Sequence, residues 1–251
     1  MHIDETDSTN QWMRNHLTGG QAPYEVVWAD YQTAGRGCGS NTWESERGKN
    51  LLFSMHLTGG LPPSPPQSPL GGKTVVPPLW GRSGGGMFHI SMVTSLAICE
   101  ALGKYIGDLS IKWPNDIYWR NGKIGGILIE HRLQGEWIRD SIIGVGLNVN
   151  QRTFHSDAPN PVSLWQICER EADREQLLRD ILQAFGALIC QDVSSRYRAM
   201  LYRRKGFHPY TDRDGTFMAE LVDVADNGCL LLRDDNGWER CYAFKEVQYV
   251  I

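Results

Sequence analysis

The chain has 251 residues, of which 41% are hydrophobic, and a formal net charge of −4. This length supports a full hydrophobic core, as one large domain or as a large domain with a small one. The slight acidity argues against nucleic acid as the main partner.

The chain shows no sign of export or membrane insertion. Its first ten residues, MHIDETDSTN, have neither a basic start nor an apolar run, so we expect no signal peptide. No apolar stretch approaches the ~20 residues that span a bilayer, so we expect no membrane partner. The six cysteines are scattered without a CxxC pair, which indicates reduced thiols in the cytoplasm and argues against a disulfide framework or a zinc site.

The first predicted helix opens near residue 8. Ser8 is its expected N-cap, and Gln11 is the expected capping-box partner. Simple capping explains these two residues completely. Thr9 and Asn10 add further donors and acceptors at a helix N-terminus, which is a place suited to a polar ligand.

A predicted strand over residues 25–32 runs into a glycine-rich loop that ends at Trp43. The loop matches neither the GxGxxG nor the GxxxxGK[ST] phosphate signature, because Ser40 interrupts the first and the second spacing is absent. Three glycines around Arg36 nevertheless make a loop that could wrap an anion. A plain solvent loop is the alternative. Residues 51–57 then form a buried strand.

Residues 58–86 hold seven of the twelve prolines and lack periodicity, which indicates a long surface loop or insertion. A passive insertion is the simpler interpretation, and Pro-rich recognition of a partner is the alternative. The next segment, residues 90–106, has apolar residues at helical spacing. It is predicted to be a core helix that ends at Gly107.

Residues 112–130, KWPNDIYWRNGKIGGILIE, predict a hairpin. Strands over 116–119 and 124–130 flank an Asn-Gly turn, and Pro114 ends strand pairing just before them. Counting by two from Lys123 puts Gly125 on its face and Gly126 on the other. The backbone beside Lys123 is then almost bare, so that a ligand can approach it closely. A basic surface hairpin is the alternative.

Residues 140–150, DSIIGVGLNVN, alternate between apolar and small or amide residues. Ile143 and Val145 share one face with the later apolar residues, which indicates a core. Gly144, Gly146 and Asn148 lie on the other face, which forms a flat strip suited to a planar ligand. Structural glycines in a twisted strand are the alternative.

The C-terminal part predicts helices followed by short strands. Helices are expected over 163–170, 173–192 and 194–204, the first two with capping boxes. Strands over 216–224, 229–234, 237–244 and 247–251 suggest a small barrel. We therefore divide the chain into a domain of residues 1–205, with the 58–86 insertion, and a barrel of residues 206–251.

An ordered set of motifs resembles the biotin–protein ligases. The set comprises STN at 8–10, the GRG loop up to Trp43, KWPND at 112–116, GKIGGILIE at 122–130 and IGVGLNVN at 143–150. The resemblance implies an α+β fold with a central mixed sheet and helices, as in class II synthetases, and a C-terminal SH3-like β-barrel. Because the sequence starts at the catalytic region, we expect a form without the family's DNA-binding module.

The resemblance also implies a two-step reaction. Biotin and ATP, with Mg²⁺, give biotinyl-5′-AMP and pyrophosphate, and a lysine of a biotin carboxyl carrier domain then takes the biotin while AMP leaves. The implied enzyme is a cytoplasmic monomer or homodimer. Bringing a carboxylate to a triphosphate places like charges together, so the reaction needs cations.

The resemblance assigns residues to each role. The catalytic residues are Arg36, Lys112, Asp116 and Lys123. The biotin-binding residues are Ser8, Thr9, Asn10, Gln32, Gly35, Arg36, Gly37, Lys123, Gly125 and Gly126. The ATP- or adenylate-binding residues are Arg36, Cys38, Trp43, Lys112, Asn115 and Asn148, with the place of Mg²⁺, near Asn148 or elsewhere on ATP, left open.

Cys38 departs from the family pattern, in which the loop usually reads GRG-[RQ]-x-G and often has an arginine at this position. We therefore expect a looser hold on the adenylate. Three other functions stay open. A lipoate–protein ligase would share the fold and the chemistry, although KWPND favours biotin. A non-catalytic regulator that binds biotinyl-AMP is disfavoured by the expected lack of the DNA-binding module and by the acidic charge. A degenerate binding protein without activity is disfavoured by the presence of Lys112, Asp116 and Lys123.

Overall fold

The computed structural model describes residues 1–17, 24–39, 41–58, 85–156 and 158–251. The predicted insertion at 58–86 lies almost entirely outside these ranges. Within them the chain forms a larger mixed sheet, a smaller antiparallel sheet and five helices. The predicted α+β class is confirmed.

The larger sheet has seven strands in the spatial order β1-β2-β3-β7-β6-β5-β4. In chain order these are β1 (His2–Thr6), β2 (Tyr24–Gln32), β3 (Leu51–Thr58), β4 (Leu109–Lys112), β5 (Asp116–Trp119), β6 (Gly122–Gln134) and β7 (Trp137–Leu147). β1 and β2 run parallel and the other neighbours antiparallel. β1 was not predicted because Ile3 is its only apolar residue, so it has no periodicity.

The helices cover the larger sheet and connect it to the second one. They are α1 (Thr9–Asn15), α2 (Gly85–Leu102), α3 (Leu164–Cys168), α4 (Arg174–Leu188) and α5 (Ser194–Ala199). α2 begins earlier than predicted and ends before Gly103, whose N–H still bonds to the Cys99 carbonyl at 2.8 Å. α5 is shorter than the predicted 194–204.

The core lies between the larger sheet, α2 and α4. α4 presents the predicted apolar stripe, of which Leu177, Ile181 and Phe185 are fully buried. Ser163 and Gln166 form the predicted capping box. Asp173 caps α4, but the Gln176 side chain donates to Asp180 instead of returning to the cap, so the second predicted box is incomplete.

α2 is long and apolar enough to cross a membrane by length and composition alone. Within the described ranges it is the one helix of this kind, and 83% of the apolar window is buried inside the protein. α2 packs against α4 and the larger sheet, so it is the central core helix.

The second sheet is antiparallel, with the spatial order β11-β10-β9-β8-β12. Its strands are β8 (Phe207–Asp212), β9 (Gly215–Val224), β10 (Leu230–Asp234), β11 (Glu239–Tyr242) and β12 (Gln248–Tyr249). Short antiparallel strands were expected here, although β8 was not among those predicted. The domain boundary at residue 205 stays a prediction.

The two sheets meet at β4 and the turn that follows it. The Ile111 N–H donates to the Met200 carbonyl at 2.8 Å, and the Tyr202 N–H donates to the Ile111 carbonyl at 2.9 Å. Trp113, which is 4% exposed, donates its indole N–H to the Gly228 carbonyl at 2.9 Å. Its ring also makes an edge contact with Phe244, with ring centroids 6.0 Å apart. The turn after β4 is therefore held by the second sheet.

Replacing Trp113 by phenylalanine should destabilise the protein by roughly 1–3 kcal/mol, because the Gly228 carbonyl loses its donor. Chemical denaturation measures the change. Trp238→Phe is the matched control, since Trp238 is 73% exposed and should change stability by no more than about 0.5 kcal/mol. Equal stability of the two variants would contradict a stabilising role for the Trp113–Gly228 hydrogen bond.

Candidate active site

A groove of about 1710 Å³ lies between the larger sheet and the second sheet. Its lining includes the start of α1, the glycine loop (residues 35–43), the KWPND turn (residues 112–116), the glycine-bearing face of β6 and β7, and the end of the second sheet. The start of α2 and several residues between Phe154 and Pro161 also contribute. The volume exceeds that of a pocket for one drug-sized ligand, so the groove has room for two substrates.

The start of α1 forms a buried polar end of the groove. Ser8, Thr9 and Asn10 are each no more than 5% exposed. The Thr9 backbone N–H and hydroxyl both donate to Gln32 Oε1, at 2.7 and 3.0 Å. The predicted capping box is wrong: Ser8 makes no side-chain cap bond, and Gln11 bonds within its own helix. Gln32 instead accepts the N–H of Thr9, the first residue of the helix.

Residues beneath α1 complete this polar network. The Ser54 hydroxyl lies 2.8 Å from Thr9 Oγ1 and 2.6 Å from Asn10 Oδ1. The Asn10 amide nitrogen donates to Glu130 Oε2 at 3.0 Å. Sequence analysis missed Ser54 and Glu130. A fully buried serine inside the apolar run LLFSMHL was the available signal, since buried polar groups need partners.

The glycine loop is closed by backbone bonds. The Trp43 N–H donates to the Gly35 carbonyl at 2.9 Å, and the Gly37 N–H donates to the Asn41 carbonyl at 2.8 Å. Gly35 is buried and does not line the groove. It packs closely against the Trp43 backbone, since a Cβ at Gly35 would lie 2.5 Å from the Trp43 carbonyl oxygen. Its role is to let the loop close. Arg36, Gly37 and Cys38 line the groove, as expected for the candidate site.

Trp43 lies on the bare face of the sheet. A Cβ at Gly146 would be 2.5 Å from its indole ring, and a Cβ at Gly126 would be 3.0 Å from it. The flat strip inferred from sequence therefore exists, and an aromatic ring lies on it. The indole nitrogen of Trp43 is buried without a partner among the described residues.

A β-bulge in β6 changes the predicted faces. Ile117 pairs with Gly125 while Tyr118 pairs with Lys123, so Ile124 is an extra residue and alternation breaks there. A Cβ at Gly126 would lie 3.5 Å from Lys123 Nζ. Gly126 therefore lies beside Lys123. The prediction that placed Gly125 there was wrong, since Gly125 is buried and lies outside the groove.

The KWPND turn brings an acid between two lysines. Lys112 and Asp116 pair across β4 and β5, and Lys123 Nζ lies 2.8 Å from Asp116 Oδ1. The Lys112 amine lies 5.0 Å from the Tyr249 ring centre and 5.7 Å from that of Tyr118. Burial lowers the pKa of Lys112 below its ordinary value of 10.5, with Asp116 opposing the shift.

Asn115 and Asn148 both line the groove. The Asn148 side chain also holds two segments of backbone in place. The Asn148 amide nitrogen lies 3.2 Å from the Val162 carbonyl and 3.4 Å from the Lys123 carbonyl. It thus fixes the strand that carries Lys123. Its predicted contact with adenine or Mg²⁺ stays a prediction.

The groove's own side chains do not form a ligand set for Mg²⁺. Asp116 is paired with Lys123, and Glu44 accepts from the backbone N–H groups of His155 and Ser156 at 2.9 and 2.7 Å. Within the described ranges, the one cluster of three candidate metal ligands is His2, Asp4 and Asp30, which does not line the groove. Mg²⁺ commonly binds mainly to substrate phosphates and water.

Several groove residues belong to strand β12 or to the segments that connect and follow the strands of the second sheet, and they were not predicted. They are Asn227, Gly228, Cys229, Ala243, Phe244, Lys245, Val247, Gln248, Tyr249 and Ile251. Their contacts join parts of the chain more than 100 residues apart, so no local pattern in the sequence marks them.

Comparisons with known proteins find similarity to biotin and lipoate protein ligases. Residues 83–148 match the model of the Biotin/lipoate A/B protein ligase family. The chain is 28% identical over 260 residues to the bifunctional ligase/repressor BirA of Bacillus subtilis, covering 94% of this chain and 70% of that protein. It is 28% identical over 250 residues to the biotin–[acetyl-CoA-carboxylase] ligase of Paracoccus denitrificans, covering 94% of each.

The structure is similar to that of the biotin protein ligase from Aquifex aeolicus in complex with biotin and ATP. The TM-score is 0.76 at 21% identity, covering 100% of this chain and 98% of that chain. The likeness establishes the fold expected from the sequence motifs.

Replacing Gly146 by alanine should displace the Trp43 ring and destabilise the protein by about 1–3 kcal/mol, the usual cost of overpacking. Denaturant unfolding measures this. Gly107→Ala is the control, because a Cβ at Gly107 meets nothing within 4 Å. In a Trp43→Ala background, Gly146→Ala should cost far less. If Gly146→Ala destabilises the Trp43→Ala variant as much as it destabilises the wild type, then the Trp43 ring is not the group that the new methyl displaces.

Proposed function

We propose that this chain is a biotin–protein ligase, because its fold and its sequence are similar to those of such enzymes. It activates biotin with ATP to biotinyl-5′-AMP and pyrophosphate, and transfers the biotin to a lysine of a biotin carboxyl carrier domain. The supporting observation is that one groove joins a buried polar end, a bare glycine strip and the lysine pair around Asp116.

The polar end is suited to the ureido ring of biotin. That ring carries N–H donors and a carbonyl acceptor, which need partners once they are buried. Thr9 and Asn10 offer hydroxyl and amide groups that the network with Ser54 and Gln32 already holds in place, and the buried Ser8 hydroxyl lies next to them. Binding therefore costs little ordering of these side chains.

The reacting centre lies at Lys123. In the first step a carboxylate oxygen of biotin attacks the α-phosphorus, and the bond from that phosphorus to the pyrophosphate oxygen breaks. Negative charge accumulates on the phosphoryl oxygens, so a cation beside them lowers the barrier. Lys123 stands over Gly126 with its amine held by Asp116 at 2.8 Å. The acyl-phosphate atoms can approach it because Gly126 has no side chain.

Lys112 is assigned to the nucleotide side. It lies between the Tyr118 and Tyr249 rings, next to Asn115 in the KWPND turn. Arg36 and Cys38 of the glycine loop face the same groove and would contact the adenylate. Trp43 would cover the adenine or close the loop, and its position on the glycine strip means that it must shift when a ligand binds there.

The second step transfers the acyl group. The ε-amine of the carrier lysine attacks the biotinyl carbon, the bond to the AMP oxygen breaks, and the amine loses a proton. Because that amine has a reference pKa of about 10.4, it needs a group that favours its neutral form. Asp116 is the carboxylate nearest to the reacting centre, so we assign it to orient the amine or to accept its proton.

Other parts of the proposal follow from the enzyme class. Mg²⁺ enters with ATP and is held mainly by the phosphates, with Asn148 as a candidate contact. The partner is a biotin carboxyl carrier domain of a carboxylase, and the expected location is the cytoplasm. A monomer and a homodimer both fit this activity.

A lipoate–protein ligase is the second candidate, because the matching family model includes both activities. The polar end of the groove favours biotin. A dithiolane ring has no N–H or carbonyl to satisfy Thr9, Asn10 and Gln32, which would then be buried beneath an apolar ring.

One assay separates these functions. The protein is incubated with Mg-ATP, an apo carrier domain, and either biotin or lipoate, and the mass of the intact carrier is measured. The proposal expects a gain of one biotinyl group that depends on both ATP and biotin. A gain with lipoate alone would favour the second candidate, and no gain with either acid would overturn both.

Replacing Lys123 by alanine should lower biotin-dependent pyrophosphate exchange by roughly 100-fold, the typical effect of removing one charge-stabilising donor. Stability should change by less than about 1 kcal/mol, because the Lys123–Asp116 pair is partly exposed. Lys49→Ala is the control, since Lys49 pairs with Glu171 away from the groove. Full exchange activity in Lys123→Ala would contradict the assigned role.

Lys112→Arg should extend activity to higher pH. Burial lowers the pKa of Lys112 below 10.5, so the wild type loses this cation as the pH rises through the lowered value. Arginine stays protonated to about pH 12, so the alkaline limb of kcat/KM for ATP should move to higher pH. Pyrophosphate exchange across the alkaline range tests this, with Lys49→Arg as control. If the wild type and Lys112→Arg lose activity at the same alkaline pH, deprotonation of Lys112 is not the cause of that loss.

A further inference from the structure

A fourth basic side chain reaches the groove from the second sheet. Lys245 lies in the segment between β11 and β12 and lines the groove together with the glycine loop. A Cβ built at Gly39, near the tip of that loop, would lie only 2.7 Å from Lys245 Nζ. The amine therefore stands directly against the bare Cα of Gly39.

The backbone at Lys245 adopts a strained conformation, and its amine lies against the glycine loop. Its φ is +74°, a left-handed conformation that favours glycine and is uncommon for lysine. The preceding residue, Phe244, packs edge-on against Trp113 with ring centroids 6.0 Å apart. The position of Lys245 is thus tied to the KWPND turn, and strain of this kind clusters at functional sites.

The acidic side chains that line the groove among the described residues are engaged with groups other than Lys245. They are Asp116 and Glu44. Asp116 pairs with Lys123 and faces Lys112 across β4 and β5. Glu44 accepts from backbone N–H groups.

Of the four Lys and Arg side chains on the groove, only Lys123 forms an ion pair with a carboxylate in the part of the chain that the structure describes. Lys112 faces Asp116 across β4 and β5, whereas Arg36 and Lys245 lie at the glycine loop. The glycine loop contributes one of these cations, and the second sheet contributes the other across from it. Both side chains line the same groove, and neither has an ion-pair partner among the described residues. A polyphosphate is the part of the two substrates that carries enough charge to match them.

We propose that Lys245 binds the polyphosphate of ATP against the glycine loop and stabilises the pyrophosphate as it leaves. This assignment rests on the proposed function and adds to it a nucleotide-binding residue from the second sheet. Lys245 does no covalent chemistry. Its amine supplies charge where the phosphate chain passes the tip of the loop, while Lys112 and Lys123 act on the α-phosphate side.

The test compares Lys245→Met, Lys245→Arg and Lys205→Met. Methionine keeps an apolar stem without charge, arginine keeps the charge, and Lys205 is an exposed lysine outside the groove. Titration calorimetry with Mg-ATP should show a dissociation constant roughly 10- to 100-fold higher for Lys245→Met, the range for losing a hydrogen bond to a charged group. Lys245→Arg and Lys205→Met should stay within about threefold of wild type.

Lys245→Gly separates binding from folding. Glycine accepts the left-handed backbone without strain, so this variant should melt at the same temperature as wild type or higher. It should nevertheless bind Mg-ATP as weakly as Lys245→Met. In pyrophosphate exchange, both variants should raise KM for ATP while KM for biotin changes by less than about twofold.

The outcomes are distinct. Unchanged ATP affinity in Lys245→Met and Lys245→Gly would overturn the proposal, and so would a rise confined to KM for the carrier domain, which would place Lys245 at the carrier instead. Calorimetry with Mg-ATP needs no turnover. Failure of the wild type to modify the carrier would therefore remove the proposed function without deciding the role of Lys245.

Discussion

The hydrogen bond from the Trp113 indole to the Gly228 carbonyl, at 2.9 Å, joins the two sheets of this protein. A buried indole N–H needs an acceptor, so the KWPND turn can pack here only if the second sheet supplies one. Gly228 has a φ of +87°, and a Cβ there would lie 2.9 Å from Phe88. The acceptor thus depends on a glycine. The groove exists because this contact sets one sheet against the other.

Close approach to backbone is the second constraint on the site. Gly126 and Gly146 leave a bare strip on β6 and β7, and Trp43 already lies on it. Beside the strip, Asn10 lies directly over Gly144 and bonds to Glu130. Side chains at these glycines would fill the space that the ring and the amide occupy. The same residues therefore serve packing in this structure and ligand contact in the proposed reaction.

Charge is distributed unevenly along the groove. Near the reacting centre, Asp116 balances Lys123 at 2.8 Å, and burial between two aromatic rings lowers the pKa of Lys112. At the glycine loop, Arg36 and Lys245 have no such balance among the described residues. An incoming anion gains most where positive charge is uncompensated. The proposed reaction needs this arrangement, since a phosphate chain must be held at one end while its α-phosphorus is attacked at the other.

Local patterns in the sequence determined much of this protein. The alternation of Ile143 and Val145 with Gly144 and Gly146 marked both the core and the bare strip, because strand periodicity acts over a few residues. The roles of Lys112 in KWPND and of Lys123 in GKIGGILIE came from the resemblance of those motifs to the ligase family. Only tertiary structure decided that the bulge at Ile124 puts Gly126 beside Lys123. Only the tertiary structure placed Trp43 on the strip and Lys245 next to Gly39. Such contacts join distant parts of the chain, so they leave no periodic pattern in the local sequence.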